Sequence, residues 1–110
     1  MIQIYTTPSC ASCRKAKKWF DQYKIPYSEK NIFSIKLSKE DIFRMLANSE
    51  NGFDDIISTR SKVFKEKKLD PDNMSVQELI EFIIDYPSVL KRPIIINENE
   101  LQVGYNNEDI

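Results

Sequence analysis

Two cysteines lie three residues apart in Pro8-Ser9-Cys10-Ala11-Ser12-Cys13, after Met1-Ile2-Gln3-Ile4-Tyr5 and before a run with helical periodicity. Across a first helical turn this spacing puts the two Cα atoms about 5–6 Å apart, within disulfide range. At a helix N-terminus, free N–H groups and the helix dipole favour an anion, and the more N-terminal thiol gains most. Cys10 is therefore expected as the thiolate that meets an oxidant, and Cys13 as its resolving partner. Arg14 and Lys15 follow at once and add positive potential. Two inert buried cysteines, or half of a zinc site shared with a second chain, are the competing readings. The Cys-x-x-Cys spacing between a strand and a helix favours redox chemistry over both.

The 110 residues contain no histidine. Cys-His and Ser-His nucleophile activation and His-containing zinc sites are excluded within the chain. No metal or cofactor is expected. The formal net charge is -1 with charges of both signs mixed along the chain, so nothing points to independent DNA binding or to an anionic membrane. No signal peptide or long apolar run opens the chain, and a cytoplasmic protein is expected. In that reducing compartment a close cysteine pair is more often catalytic, sensory or metal-binding than structural.

The elements that must position the cysteines are legible from periodicity. Ile2, Ile4 and Tyr5 read as a strand that Thr6-Thr7-Pro8-Ser9 breaks. A helix is expected from about Ser12 to Tyr23, with Ala16, Trp19, Phe20 and Tyr23 as its apolar stripe. Arg14, Lys15, Lys17 and Lys18 then form a solvated face. Tyr27 to Ile32 reads as a second strand. Ser38 with Asp41 opens a helix that stops near Asn48, with Leu37 and Ile42 as a hydrophobic staple, before a turn at Asn51-Gly52. Ser58 is expected to cap a short basic helix through Val63 and Phe64, ended by Asp70-Pro71-Asp72. Ser75 and Glu78 form a capping box stapled by Met74 and Leu79, with Val76, Leu79, Ile80 and Ile83 buried up to about Tyr86. Pro87 and Pro93 bracket a loop. Ile94-Ile95-Ile96 and Leu101 to Val103 flank a hairpin turn.

The order β-α-β, helices, β-hairpin predicts an α/β, thioredoxin-like fold with a mixed central sheet and a helical insertion. The expectation is a single domain, residues 1–110, with thioredoxin-like halves at about 1–33 and 90–110 and the insertion at about 35–89. In such folds the residue opening the third strand is a cis-proline facing the cysteine motif, which assigns that place to Pro93. Arg92, and as a second candidate Arg60, would present a guanidinium to a thiolate or oxidised sulfur. A surface ion pair is the alternative role for either arginine.

Several blocks carry a family resemblance: Tyr5-Thr6-x-Pro8-Ser9-Cys10-x-Ser12-Cys13-Arg14-Lys15-Ala16, Asn31-Ile32-Phe33-Ser34, Asp55-Ile56-Ile57-Ser58-Thr59-Arg60-Ser61-Lys62-Val63-Phe64, Arg92-Pro93-Ile94-Ile95-Ile96 and Leu101-Gln102-Val103-Gly104-Tyr105-Asn106. Together they resemble the Spx family of stress regulators, within the arsenate-reductase-like (ArsC) proteins. The resemblance implies an arsenate-reductase-like fold and a non-enzymatic, redox-sensing regulator that binds the C-terminal domain of the RNA polymerase α subunit. It implies that Cys10 and Cys13 are a thiol-disulfide switch for oxidative stress. It matches Gly52 to a glycine in the polymerase-contacting surface; a left-handed, helix-ending turn is the plain reading of the same residue. Met45-Leu46-Ala47 lacks a basic residue that this surface carries in the family. The ClpXP protease and an adaptor are partners of family members through a C-terminal tail, which this sequence, ending at Asp109-Ile110, does not include. No DNA-reading motif is present, so promoter contact is expected to need the polymerase.

The second function class is a thiol-dependent arsenate reductase or a glutaredoxin-like oxidoreductase. Oxyanion reduction needs a thiolate and a cluster of arginines. The related reductases use three; Arg60 and Arg92 are present here, and the third position falls near Gly104. A general disulfide oxidoreductase would instead be expected to show Trp-Cys-Gly-Pro-type surroundings, which are absent.

Overall fold

A computed structural model describes residues 2–58, 61–68, 70–98 and 100–104. The chain divides into two compact units, Met1–Ile35 with Arg92–Ile110, and Lys36–Lys91.

The first unit holds a four-stranded mixed sheet in the order β2-β1-β3-β4. Strand β1 (Ile2–Thr6) pairs parallel with β2 (Tyr27–Asn31) and antiparallel with β3 (Ile94–Asn97), which pairs antiparallel with β4 (Glu100–Val103). Helix α1 (Ala11–Gln22) connects β1 to β2. The inner strands are the most apolar, as covered strands must be: Ile4, Tyr5 and Ile94, Ile95 and Ile96 are all buried. Ile4, Ala16, Phe20 and Ile95 form one core cluster, with Ile2, Trp19, Ile25 and Tyr27 against it.

The strand β1 runs one residue further than its apolar alternation suggested, because Thr6 keeps its ladder place opposite Asn31. Helix α1 buries Cys13, Ala16 and Phe20, while Tyr23 is 58% exposed. Tyr23 is the C-cap rather than a fourth core position; its ring packs 4.6 Å from that of Trp19. The helix ends in a Schellman-type closure: Ile25 N–H donates to Phe20 O at 2.9 Å and Lys24 N–H to Asp21 O at 3.2 Å. Lys24 takes the positive φ of 54° that glycine usually supplies, so no glycine marks this end in the sequence.

The second unit is helical: α2 (Lys39–Ala47), α3 (Phe53–Ile56), α4 (Lys62–Lys67) and α5 (Val76–Asp85), with 3-10 turns at Pro71–Asn73 and Pro87–Val89. Ser38–Asp41 and Ser75–Glu78 are both complete capping boxes. Ile42, Met45, Ile56, Ile57, Phe64, Leu79, Ile80, Ile83, Val89 and Leu90 are buried. Val76 is not part of this core. It is 57% exposed on the first turn of α5, and Phe82 is buried instead, its ring 5.1 Å from those of Phe64 and Tyr86. Ser58 does not cap α4. Its N–H donates to Val89 O at 2.8 Å, and the helix starts after Ser61. Helix α3, a single turn, carries too few residues to show a period.

Candidate functional site

The first turn of α1 is built around sulfur. Cys10 is the N-cap, in extended conformation, and its Sγ accepts the Cys13 N–H at 3.0 Å. Its carbonyl accepts the Arg14 N–H at 3.2 Å, the first bond of the helix. Cys10 and Cys13 are joined as a disulfide, with Cα atoms 5.1 Å apart, inside the usual range. The two cysteines differ in burial: Cys10 is half-buried, whereas Cys13 is 1% exposed. No acid stands in the first turn, so the charge near Cys10 on α1 is that of Arg14 and Lys15, both exposed.

The strand before the turn is anchored by a polar trio. Thr6 is buried, and its hydroxyl donates to Glu29 Oε2 at 2.7 Å. Lys17 Nζ, from α1, reaches the same oxygen at 3.0 Å. Partial burial pushes the Glu29 carboxyl up, but the Thr6 hydroxyl and the Lys17 ammonium outweigh it and hold the group below the ordinary glutamate range. This trio joins β1, α1 and β2 at the carboxyl end of β1, where the cysteine turn begins. Sequence reading missed it, since Thr6 reads as a strand breaker, Lys17 as part of a solvated face, and Glu29 as one more residue of the second strand.

At the other end of the unit's chain segments, the Arg92–Pro93 peptide is cis and Pro93 is buried directly before β3. The Pro93 carbonyl accepts the Gly104 N–H at 2.8 Å, closing the hairpin. Arg92 is half-buried and makes interactions of its own. Arg60 lies outside the described residues.

Gly52 belongs to the helical unit. It has φ 65° and ψ -132° and is the N-cap of α3, so it opens a helix rather than ending one. That conformation is essentially reserved for glycine, and a Cβ added there would meet nothing within 4 Å. The turn is held by Asp55, three residues on. Its Oδ2 accepts the N–H groups of Glu50 and Asn51, each at 2.9 Å, and its Oδ1 accepts the Asn51 side-chain amide at 3.2 Å. Bonds from the Asn51 backbone above all hold its carboxyl below the ordinary range. The available signal was the acid at the third helical position, the same offset as in Ser38–Asp41 and Ser75–Glu78. On α2, Met45 is core and Ala47 is exposed.

Among the described residues, no group of three or more cysteine, aspartate or glutamate side chains is placed to hold a metal ion. No helix among them is long and apolar enough to cross a membrane.

The ArsC family profile matches residues 5–110. A Bacillus cereus protein named global transcriptional regulator Spx 1 is 51% identical over 110 residues, all of this chain and 84% of that protein. A Bacillus subtilis protein named global transcriptional regulator Spx is 49% identical over the same coverage. Among solved structures, an arsenate reductase from Vibrio cholerae superposes with a TM-score of 0.86 over 99% of this chain and 93% of that one, at 19% identity. That likeness shows the shared α/β, thioredoxin-like fold. The chain belongs to the ArsC family and, within it, groups with the Spx proteins.

Proposed function

We propose that the protein is a redox-sensing transcriptional regulator that acts by binding the C-terminal domain of the RNA polymerase α subunit, with the Cys10–Cys13 pair as its switch. The observation that carries this reading is the disulfide itself, formed by a half-buried Cys10 and an enclosed Cys13, in a chain about half identical to named transcriptional regulators. Oxidation joins two thiols with loss of two electrons and two protons, and the changed product is the protein's own surface. Gly52 is the proposed polymerase contact, on a turn whose outer side is open to a partner. Arg92 and Pro93, with Arg60, are the proposed supports of the Cys10 thiolate. Residues 1–110 are proposed to work as one arsenate-reductase-like domain in the cytoplasm, without a metal, a cofactor or DNA binding of its own.

The test is a pull-down of the α C-terminal domain with the chain fully reduced and fully oxidised. Binding that differs between the two states is expected. No binding in either state overturns the polymerase reading.

A second reading, a thiol-dependent arsenate reductase, is favoured by the fold shared with the Vibrio cholerae enzyme. Against it stands Gly104, where the related reductases place a third arginine. No arsenate turnover with glutathione and glutaredoxin is expected; turnover well above a Cys10→Ala control would promote this reading.

A further inference from the structure

The chain leaves β1 at Thr6, passes through both cysteines and reaches Lys17 in the second turn of α1. One atom on β2 ties the two ends of that stretch together. Glu29 Oε2 accepts the Thr6 hydroxyl at 2.7 Å and the Lys17 ammonium at 3.0 Å. Residues 6–17 are thereby closed into a loop that contains the cysteine pair. Each limb of the loop leads to one cysteine. Thr6 and Thr7 are both buried, and the Thr7 carbonyl accepts the Cys10 N–H at 3.4 Å, so the backbone at Cys10 follows the strand end. Lys17 lies one helical turn beyond Cys13, on the same face. Arg14, Lys15 and Lys18 on the same helix are exposed, whereas Lys17 is half-buried and paired. Forming a bond inside a loop that is already closed loses less chain entropy than forming it in an open one.

We propose that Glu29 is a positioning residue for the redox pair: by holding Thr6 and Lys17 on one oxygen, it favours the Cys10–Cys13 disulfide over the dithiol. This rests on the redox switch proposed above and adds a residue that sets its balance. Glu29 acts through the two limbs of the loop. The effect is reciprocal, because the disulfide must favour the clamp by the same factor as the clamp favours the disulfide. Dithiothreitol is the reductant that reads it. One of its thiolates attacks a sulfur of the pair, and the electron pair of the Cys10–Cys13 bond leaves on the other cysteine. The second dithiothreitol thiolate then attacks its own sulfur in the mixed disulfide and displaces the protein. The protein gains two electrons and two protons as two thiols, and dithiothreitol loses them as a cyclic disulfide.

The test equilibrates the 110-residue chain with mixtures of reduced and oxidised dithiothreitol, quenches in acid, alkylates and counts the two forms by mass. Glu29→Ala should lower the equilibrium constant for the disulfide about threefold to fivefold, the scale of a partly exposed charged pair. Lys17→Gln should lower it about twofold, and Lys17→Arg, which keeps a cation for Glu29, should hold the parent value. Glu29→Ala/Lys17→Gln should fall no further than Glu29→Ala alone, since both act through one oxygen. Glu78→Gln weakens a capping box in the helical unit and should leave the constant unchanged. In urea, Glu29→Ala should cost the oxidised chain more stability than the reduced chain, by the factor seen in the redox constant. A parent-like constant in Glu29→Ala, an equal fall in Glu78→Gln, or additive losses in the double variant overturns the proposal while leaving the switch intact. A parent chain that forms no Cys10–Cys13 disulfide in any mixture overturns the switch and this proposal together.

Discussion

The helix starts of the two units meet the same problem with different chemistry. Every helix begins with N–H groups that lack partners. At α2 and α5 a serine caps the helix and an acid three residues on bonds back to the cap. At α1 those two places are Cys10 and Cys13: the cap sulfur accepts the third residue's N–H, and the third residue bonds back covalently. At α3 the cap is Gly52, with no side-chain bond to give, and Asp55 reaches past it to the amides of Glu50 and Asn51. The comparison separates a cap whose covalent state can change from one that is fixed. The cysteine turn is suited to sensing, because its atoms are the redox-active ones. The glycine turn is suited to presentation, because it holds a side-chain-free backbone in a conformation that other residues adopt only with strain.

The largest expected effect breaks the first half of that comparison. Cys13→Ser abolishes the intramolecular disulfide, so diamide treatment produces the mass loss of about 2 Da, two protons, in the parent chain and none in the variant. A persisting loss would place the oxidation elsewhere. Next, Gly52→Arg is expected to weaken binding to the polymerase α C-terminal domain at least about tenfold more than Gly52→Ala. Both pay a backbone strain of about 1–3 kcal/mol, so a calorimetric stability measurement shows the same cost for the two while binding separates them. Equal binding by the two variants would remove Gly52 from the contact surface.

Asp55→Ala should speed amide exchange at Glu50 and Asn51 while leaving Asn73 and Met74 unchanged. In the parent chain this protection should be present at neutral pH and lost on acidification. Asp55 has a depressed carboxyl pKa, so the bonds persist above the ordinary aspartate range and disappear as pH falls through the lowered value. The smallest effect concerns Glu29. Its depressed carboxyl contributes stability above the ordinary glutamate pKa that is lost as pH falls through the folded value. Glu29→Gln should flatten this acid limb in urea denaturation at stepped pH, with a cost under about 1 kcal/mol at neutral pH, as for a partly exposed pair.

Much of this site was legible in the sequence because it is local. Ser38–Asp41 and Ser75–Glu78 announce helix starts at a fixed offset of three, and Cys10–Cys13 sits at the same offset. The Ile94–Ile96 run and its returning strand read as a hairpin for the same reason. Asp55 was readable in principle but sits in a helix of one turn, too short to reveal its start.

The sequence by itself determined the cap pairs, the dithiol spacing and the order of elements, since each depends on residues within one or two turns of each other. Only the tertiary structure decided which cysteine is enclosed. Cys13 is enclosed because it shares the buried stripe of α1 with Ala16 and Phe20, while Cys10, at the N-cap, is left half outside. It also decided that Thr6, Lys17 and Glu29 meet, because the parallel pairing of β1 with β2 closes 23 residues of chain into one 2.7 Å contact. Tyr23 and Val76 fit an apolar helical period yet face solvent, since burial depends on which neighbour covers a helix end and not on periodicity along it.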